Sequence, residues 1–178
     1  MVINLITFAS ILHKQASVRS SHEVILTELE KYFTVNFIDY KDIDKLSPDD
    51  FSIIFIATGG VERLVSLPRP AILLADGMQN SLAAALEISS WLRGRGMKSE
   101  ILHGELPETI KRIFVLHSNF VAQRSLFGMR IGVMGTPSSW LVASNVDYLL
   151  AKRRWGIEYT DVSLDRIYEY YGQITDDE

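Results

Sequence analysis

The chain has 178 residues, 47% of them hydrophobic and 22% charged, with a net charge of −4. That balance excludes global disorder and gives enough length for one ordinary domain, or one domain and part of another. The basic residues are scattered and leave no electrostatic footprint for nucleic acid, and the absence of cysteine excludes disulfides and thiolate chemistry.

Residues 1–12 are apolar but carry no basic stretch before the hydrophobic run and no small-x-small cleavage pattern, so they do not read as a signal peptide. No apolar run approaches the roughly 18 residues that a spanning helix needs. Together with the lack of cysteine, this predicts a soluble cytoplasmic protein with no membrane partner.

The near-continuous apolar run at 2–8 predicts a parallel strand buried on both faces. After a polar loop, Val24, Ile25, Leu29 and Tyr32 or Phe33 recur at helical spacing, which predicts one amphipathic helix over 19–32. A short second strand is expected at 35–38, then a charged loop with one helical turn over 39–50. A third strand at 52–57 runs into Thr58-Gly59-Gly60. Pro68 and Pro70 precede a fourth strand at 71–75, closed by Asp76-Gly77. Asn80 or Ser81 is the expected cap of a helix reaching Gly94, with Leu82, Leu86 and a core Trp91 among its apolar positions. A fifth strand at 100–103 and a helix of about five turns at 106–127, with Pro107 in its first turn, complete this part. The alternation predicts an α/β fold: a three-layer parallel sheet, flavodoxin- or Rossmann-like, over residues 1–127.

At Gly128 a second α/β unit begins, expected to fill 128–178. It has strands at 130–134 and 157–162 and helices at 141–154 and 163–171, with Ser138 or Ser139 capping the first helix. A two-stranded parallel sheet does not stand alone, so this unit reads as the start of a longer domain.

Ligands of doubly wound folds sit beyond the carboxyl ends of the strands. That rule selects the loops 9–15, 58–63, 76–81 and 136–140. The candidate binding residues are His13, Gly59, Gly60, Glu62, Arg63, Asp76, Asn80, Ser138, Ser139 and Trp140. Gly59 and Gly60 would let the backbone approach an anion or hydroxyl. Glu62 and Asp76 both follow strands and could form an acid–base pair. Trp140 could stack on a sugar ring or simply pack. The four histidines, His13, His22, His103 and His117, are dispersed without metal-ligand spacing and are expected to be surface or structural imidazoles. The sequence contains no G-x-G-x-x-G, no G-x-x-x-x-G-K-[ST] and no G-x-S-x-G. No complete catalytic constellation is present, so no catalytic or metal residue is assigned.

Three segments carry a family resemblance: FIATGGVERLV at 55–65, PAILLADGMQNSLAAALEISSWLRGRG at 70–96, and RIGVMGTPSSWLVASNVDYLLAKRRWGIEYTDVSLDRI at 130–167. Together they resemble the N-terminal region of L-fucose isomerase-like proteins, relatives of the L-fucose and L-arabinose isomerases. The third segment is the most distinctive. The resemblance implies an aldose–ketose isomerase that uses Mn²⁺, with two N-terminal α/β domains and a C-terminal domain holding the metal ligands. It also implies a homo-oligomer in which the first domain helps to close a neighbour's sugar site. On that reading this chain is the substrate-side and assembly part, with no cofactor of its own and no turnover alone. The alternative is a free-standing α/β module that binds a sugar or a phosphorylated metabolite.

Overall fold

The structure, a computed structural model, describes residues 1–10, 15–62 and 71–174. It divides into two compact units, Met1–Ser118 and Asn119–Glu178. Five strands in the first unit form one sheet: β1 (Val2–Phe8), β2 (Thr34–Asp39), β3 (Ser52–Ile56), β4 (Ala71–Leu74) and β5 (Ser99–Leu102). All neighbours are parallel, in the order β2-β1-β3-β4-β5. The helices are α1 (Gln15–Ser21), α2 (Glu23–Tyr32), α3 (Ser81–Gly94) and α4 (Leu106–Leu126). The fold is a three-layer α/β sandwich of the flavodoxin/Rossmann-like kind.

Alternation along the central strands explains the two covered faces. Ile6 and Phe8, Ile54 and Ile56, and Ala71, Leu73 and Ala75 point to one side, where they meet Ala84, Ala85, Ile88 and Leu92 of α3. Ile3, Leu5, Ile53 and Phe55 alternate with them and are also buried. On that second side the His22 ring packs edge-on against Phe55, and Phe114 of α4 packs against Phe33 at the end of α2. Central strands buried on both faces need continuous apolar runs, which is why β1 and β3 stand out in the sequence.

Several expectations change. The single helix expected over 19–32 is two helices meeting at His22, whose backbone sits at φ −118°, ψ 20°. His22 N–H still donates to Val18 and its carbonyl still accepts from Leu26, so the break is local. The side chain is drawn inward there by a partner from β4's loop. Ile25, Leu26 and Leu29 are buried, whereas Val24 and Tyr32 face solvent. Trp91, expected in the core, is 39% exposed because it flanks the Ala84–Ala85–Ile88–Leu92 stripe, and the Arg95 guanidinium covers its ring at 3.7 Å.

The second unit pairs β6 (Arg130–Met134) in parallel with β7 (Glu158–Val162), with α5 (Tyr148–Trp155) between them and α6 (Leu164–Tyr171) after. The helix expected from residue 141 begins only at Tyr148. Its cap is Asp147, whose carboxylate accepts the Leu150 N–H at 2.8 Å. Ser138 and Ser139 do not cap it; the Ser138 carbonyl instead accepts the Leu141 N–H in a turn. An ionised Asx side chain at the actual boundary suits the exposed N–H groups better than a serine several residues earlier. Gly156 ends α5 at φ 72°, and a Cβ there would lie 2.3 Å from the Phe127 ring. Only Ala151 and Ile157 are buried among the unit's described residues, so its core is small. Among the described residues no helix is long and apolar enough to cross a membrane.

Candidate functional site

In the order β2-β1-β3-β4-β5 the chain leaves β1 toward one edge and β3 toward the other, which opens a crevice at the carboxyl ends of β1 and β3. The loops there are tied together by short hydrogen bonds. Ser10 N–H donates to the Thr58 hydroxyl at 2.8 Å, and that hydroxyl donates to the Gly59 carbonyl at 3.0 Å. Gly59 N–H in turn donates to the Gln79 carbonyl at 2.9 Å. A Cβ on Gly59 would stand 3.2 Å from the Asn80 Cβ, so glycine is what lets the loops after β3 and β4 close on one another.

The loop after β4 is organised by Asp76. One carboxylate oxygen accepts the Met78 N–H at 3.0 Å and the Ser81 hydroxyl at 3.2 Å. The other meets His22 Nδ1 at 2.5 Å. Ser81 Oγ also accepts the Gly77 N–H at 3.0 Å, so this serine pins the loop although it lies inside α3. Burial pushes the Asp76 carboxyl up. The hydrogen bonds from His22, Met78 and Ser81, with the charge His22 carries when protonated, outweigh it and hold the group below its usual range. Asp76 is therefore a carboxylate at neutral pH. A carboxylate only accepts, so the His22 proton facing it sits on Nδ1.

That leaves Nε2 on the far side of the ring. The His22 side chain has no exposed surface, and Nε2 has no hydrogen-bond partner. A buried polar atom left in this state costs about 1–3 kcal/mol. In the loop that carries Asp76 the backbone is strained as well. Gln79 (φ 49°, ψ 39°) and Asn80 (φ 62°, ψ 19°) are consecutive non-glycine residues in the left-handed region. Asparagine tolerates that conformation, whereas for glutamine it costs roughly 1–2 kcal/mol. The Gln79 side chain donates to Ser21 Oγ at 3.0 Å, so residues 76–81 grip the α1–α2 junction at two adjacent points, Ser21 and His22. Asn80 supplies no side-chain cap to α3.

The structure brings Gly59, Asp76 and Asn80 to one place. Gly60 lies in the same loop as Gly59, and its N–H donates to Glu62 at 3.3 Å. Glu62 thus turns back on its own loop while Asp76 is engaged by His22 and Ser81, and the two acids form no hydrogen-bonded pair. Ser138, Ser139 and Trp140 belong to the second unit, where Trp140 is 79% exposed. His13 and Arg63 lie outside the described residues.

Residues that sequence reasoning missed sit among these. His22 is a buried imidazole ligated by Asp76 from 54 positions away, and no local spacing signals such a pair. Thr58 and Ser81 lie in the loops the strand-end rule selects, but their burial and their bonds to Ser10, Gly77 and Asp76 were not foreseen. His103, just past β5, bonds the Ala75 carbonyl through Nδ1 at 2.8 Å. A cavity of about 540 Å³ also opens at the carboxyl ends of β1 and β2, walled by Thr7, Val18, Leu26, Phe37, Tyr40 and Phe55. Arg19, Asp39 and Lys41 supply its charges, with Arg19 paired to Glu30 at 2.7 Å and stacked over Phe37. It is of small-molecule size.

No three His, Cys, Asp or Glu side chains converge among the described residues in a way that could hold a metal ion. His22 and Asp76, the closest approach to a donor pair, are bonded to each other through the atoms that face. No protein-family model and no curated protein matches the chain.

Proposed function

We propose that the first unit presents the carboxyl edge of its sheet to a small polyhydroxylated ligand, as the substrate-side and assembly part of an aldose–ketose sugar isomerase. The observation that supports this most is the acceptor-rich loop network around Asp76, with His22, Ser81, Thr58 and Gly59 gathered at the ends of β3 and β4. Carboxylate, imidazole and carbonyl acceptors suit the hydroxyl hydrogens of a sugar. The resemblance of the segments at 55–65, 70–96 and 130–167 supplies the reaction class. In the same reading the protein is cytoplasmic and a homo-oligomer, and this edge helps to close a neighbouring subunit's sugar site.

The donor sets among the described residues do not fit the Mn²⁺ that the resemblance implies. The ion belongs, on this reading, to a C-terminal domain outside this chain. The residues of this chain bind and orient; proton or hydride transfer is not assigned to them.

A second reading is a free-standing binding module for a phosphorylated metabolite. The cavity beside Arg19 and Lys41 favours it, because two cations there could meet a phosphate. Calorimetric titration of the full chain with L-fucose, D-arabinose, ribitol, glucose 6-phosphate and inorganic phosphate separates the two. The first reading expects saturable binding of the neutral polyols. Binding of the phosphorylated compounds alone would replace it with the second.

A further inference from the structure

We propose that the cavity at the carboxyl ends of β1 and β2 is a nucleoside site, separate from the polyol edge and independent of that reading. Its apolar side takes the base, and Asp39 with Thr7 takes the ribose diol. The register of the sheet builds the polar half. Thr7 pairs with Asp39 on one side and with Phe55 on the other, so the three stand in a row across β2, β1 and β3. Below that row the same face carries the buried Ile3 and Leu5 on β1 and Ile53 on β3. Polarity enters this face only at the level where the cavity begins. Among the described residues the Thr7 hydroxyl has no hydrogen-bond partner. Asp39 Oδ1 accepts the Lys41 N–H at 3.0 Å. A carboxylate offers about four acceptor positions, so it can take hydroxyl donors as well.

Val18 and Leu26 from the helices, with Phe37 and Phe55 from the sheet, supply the apolar half. The volume of about 540 Å³ lies within the range of about 300–1,000 Å³ usual for small-molecule sites. Charge at the rim decides between a neutral and an anionic occupant. Arg19 is paired with Glu30 at 2.7 Å, and its guanidinium lies 4.9 Å from the centre of the Phe37 ring. Lys41 Nζ lies 5.7 Å from the centre of the Tyr40 ring, and the Asp39 carboxylate on the same wall offsets its charge. With these charges balanced, an anion gains no net attraction, and neither glycine-rich phosphate motif occurs in the chain. A nucleoside joins a flat ring to a vicinal diol in one neutral molecule, which matches an aromatic wall beside a carboxylate and a hydroxyl.

Calorimetric titration of the full chain with adenosine, guanosine, cytidine and uridine tests the proposal, with amide shifts locating the site. At least one is expected to bind saturably and to shift Val18, Phe37 and Phe55. For the tightest of them, the 2′,3′-dideoxy form is expected to bind roughly tenfold more weakly, and the 5′-monophosphate within about threefold. Asp39→Asn keeps an oxygen for the Lys41 N–H and should lose most of the discrimination between nucleoside and dideoxynucleoside. No saturable binding of any of the four, or shifts that fall outside the cavity, would overturn the proposal and leave the polyol reading intact. Equal binding of the dideoxy form by the wild type would overturn it as well. So would a monophosphate bound tenfold or more tightly than its nucleoside, since the cavity would then be an anion site.

Discussion

Asp76→Asn isolates the contribution of one charge at the carboxyl edge. The carboxamide keeps an oxygen for the Met78 N–H and the Ser81 hydroxyl, but it turns an amino group toward His22 Nδ1. The histidine must then accept on Nδ1 and move its proton to Nε2, where no acceptor waits. A charge-assisted bond worth about 1.5–3 kcal/mol becomes a neutral one worth about 0.5–1.5, and one orphaned atom is exchanged for another. The expected net loss is about 1–2 kcal/mol at neutral pH. Asp76→Ala, which removes every acceptor at once, is expected to cost more than the Asn variant, about 2–4 kcal/mol. The Asp76 carboxyl is held below its ordinary value of 3.8. A depressed native value means that wild-type stability over the Asn variant is fully present above that ordinary value. It is lost as pH falls below it through the native value. Amide exchange at Ala57 and Ala75, whose N–H groups bond Phe8 and Leu102 across the sheet, reads the opening of the five-stranded sheet. Exchange by global opening should be roughly 5–30-fold faster in the Asn variant at neutral pH. Urea titrations carried from neutral pH to below 3.8 should show the gap narrowing as the pH falls. A gap under about 0.5 kcal/mol at neutral pH, or one that persists through acidification, would mean that the Asp76 charge does not hold this loop.

Ser81→Ala removes a hydroxyl that both accepts from Gly77 and donates to Asp76, and should cost the first unit about 1 kcal/mol in urea unfolding. Ile88→Ala opens a hole where α3 meets the sheet and should cost about 2–5 kcal/mol by the same assay. Gly156→Ala combines a left-handed backbone with a Cβ driven into the Phe127 ring. It should destabilise the second unit by about 2–4 kcal/mol, read from the amides of β6 and β7. Gly59→Val crowds Asn80 and should weaken polyol binding more than it lowers the melting temperature.

The sheet was readable from the chain because β1 and β3 are buried on both faces and must be apolar along their whole length. The carboxyl-edge loops followed from the same topology, and Gly59, Asp76 and Asn80 do meet there. What eluded the sequence is non-local. The break at His22 interrupts no periodicity, since Ile25, Leu26 and Leu29 keep a helical stripe, and the residue at the break is bound to a carboxylate 54 residues on. The cap of α5 was misplaced because Ser138 and Ser139 follow a strand and a proline as a cap would. Asp147, another strong capping type directly before the helical residues, was the better cue. Trp91 was placed in the core with Leu82 and Leu86 by its helical spacing, but the buried stripe of α3 runs through Ala84, Ala85, Ile88 and Leu92, which leaves Leu86 and Trp91 beside it. The cavity near Arg19 and Lys41 is built from an edge strand and a short turn whose residues carry no pattern of their own.

The most direct test of the central claim is an amide-shift titration of the full chain with L-fucose and ribitol, with inorganic phosphate as the control. Saturable shifts are expected at Thr58, Gly59 and residues 76–81, with none on phosphate addition. Shifts confined to Arg19 and residues 37–41, and elicited by phosphate instead of polyol, would contradict it.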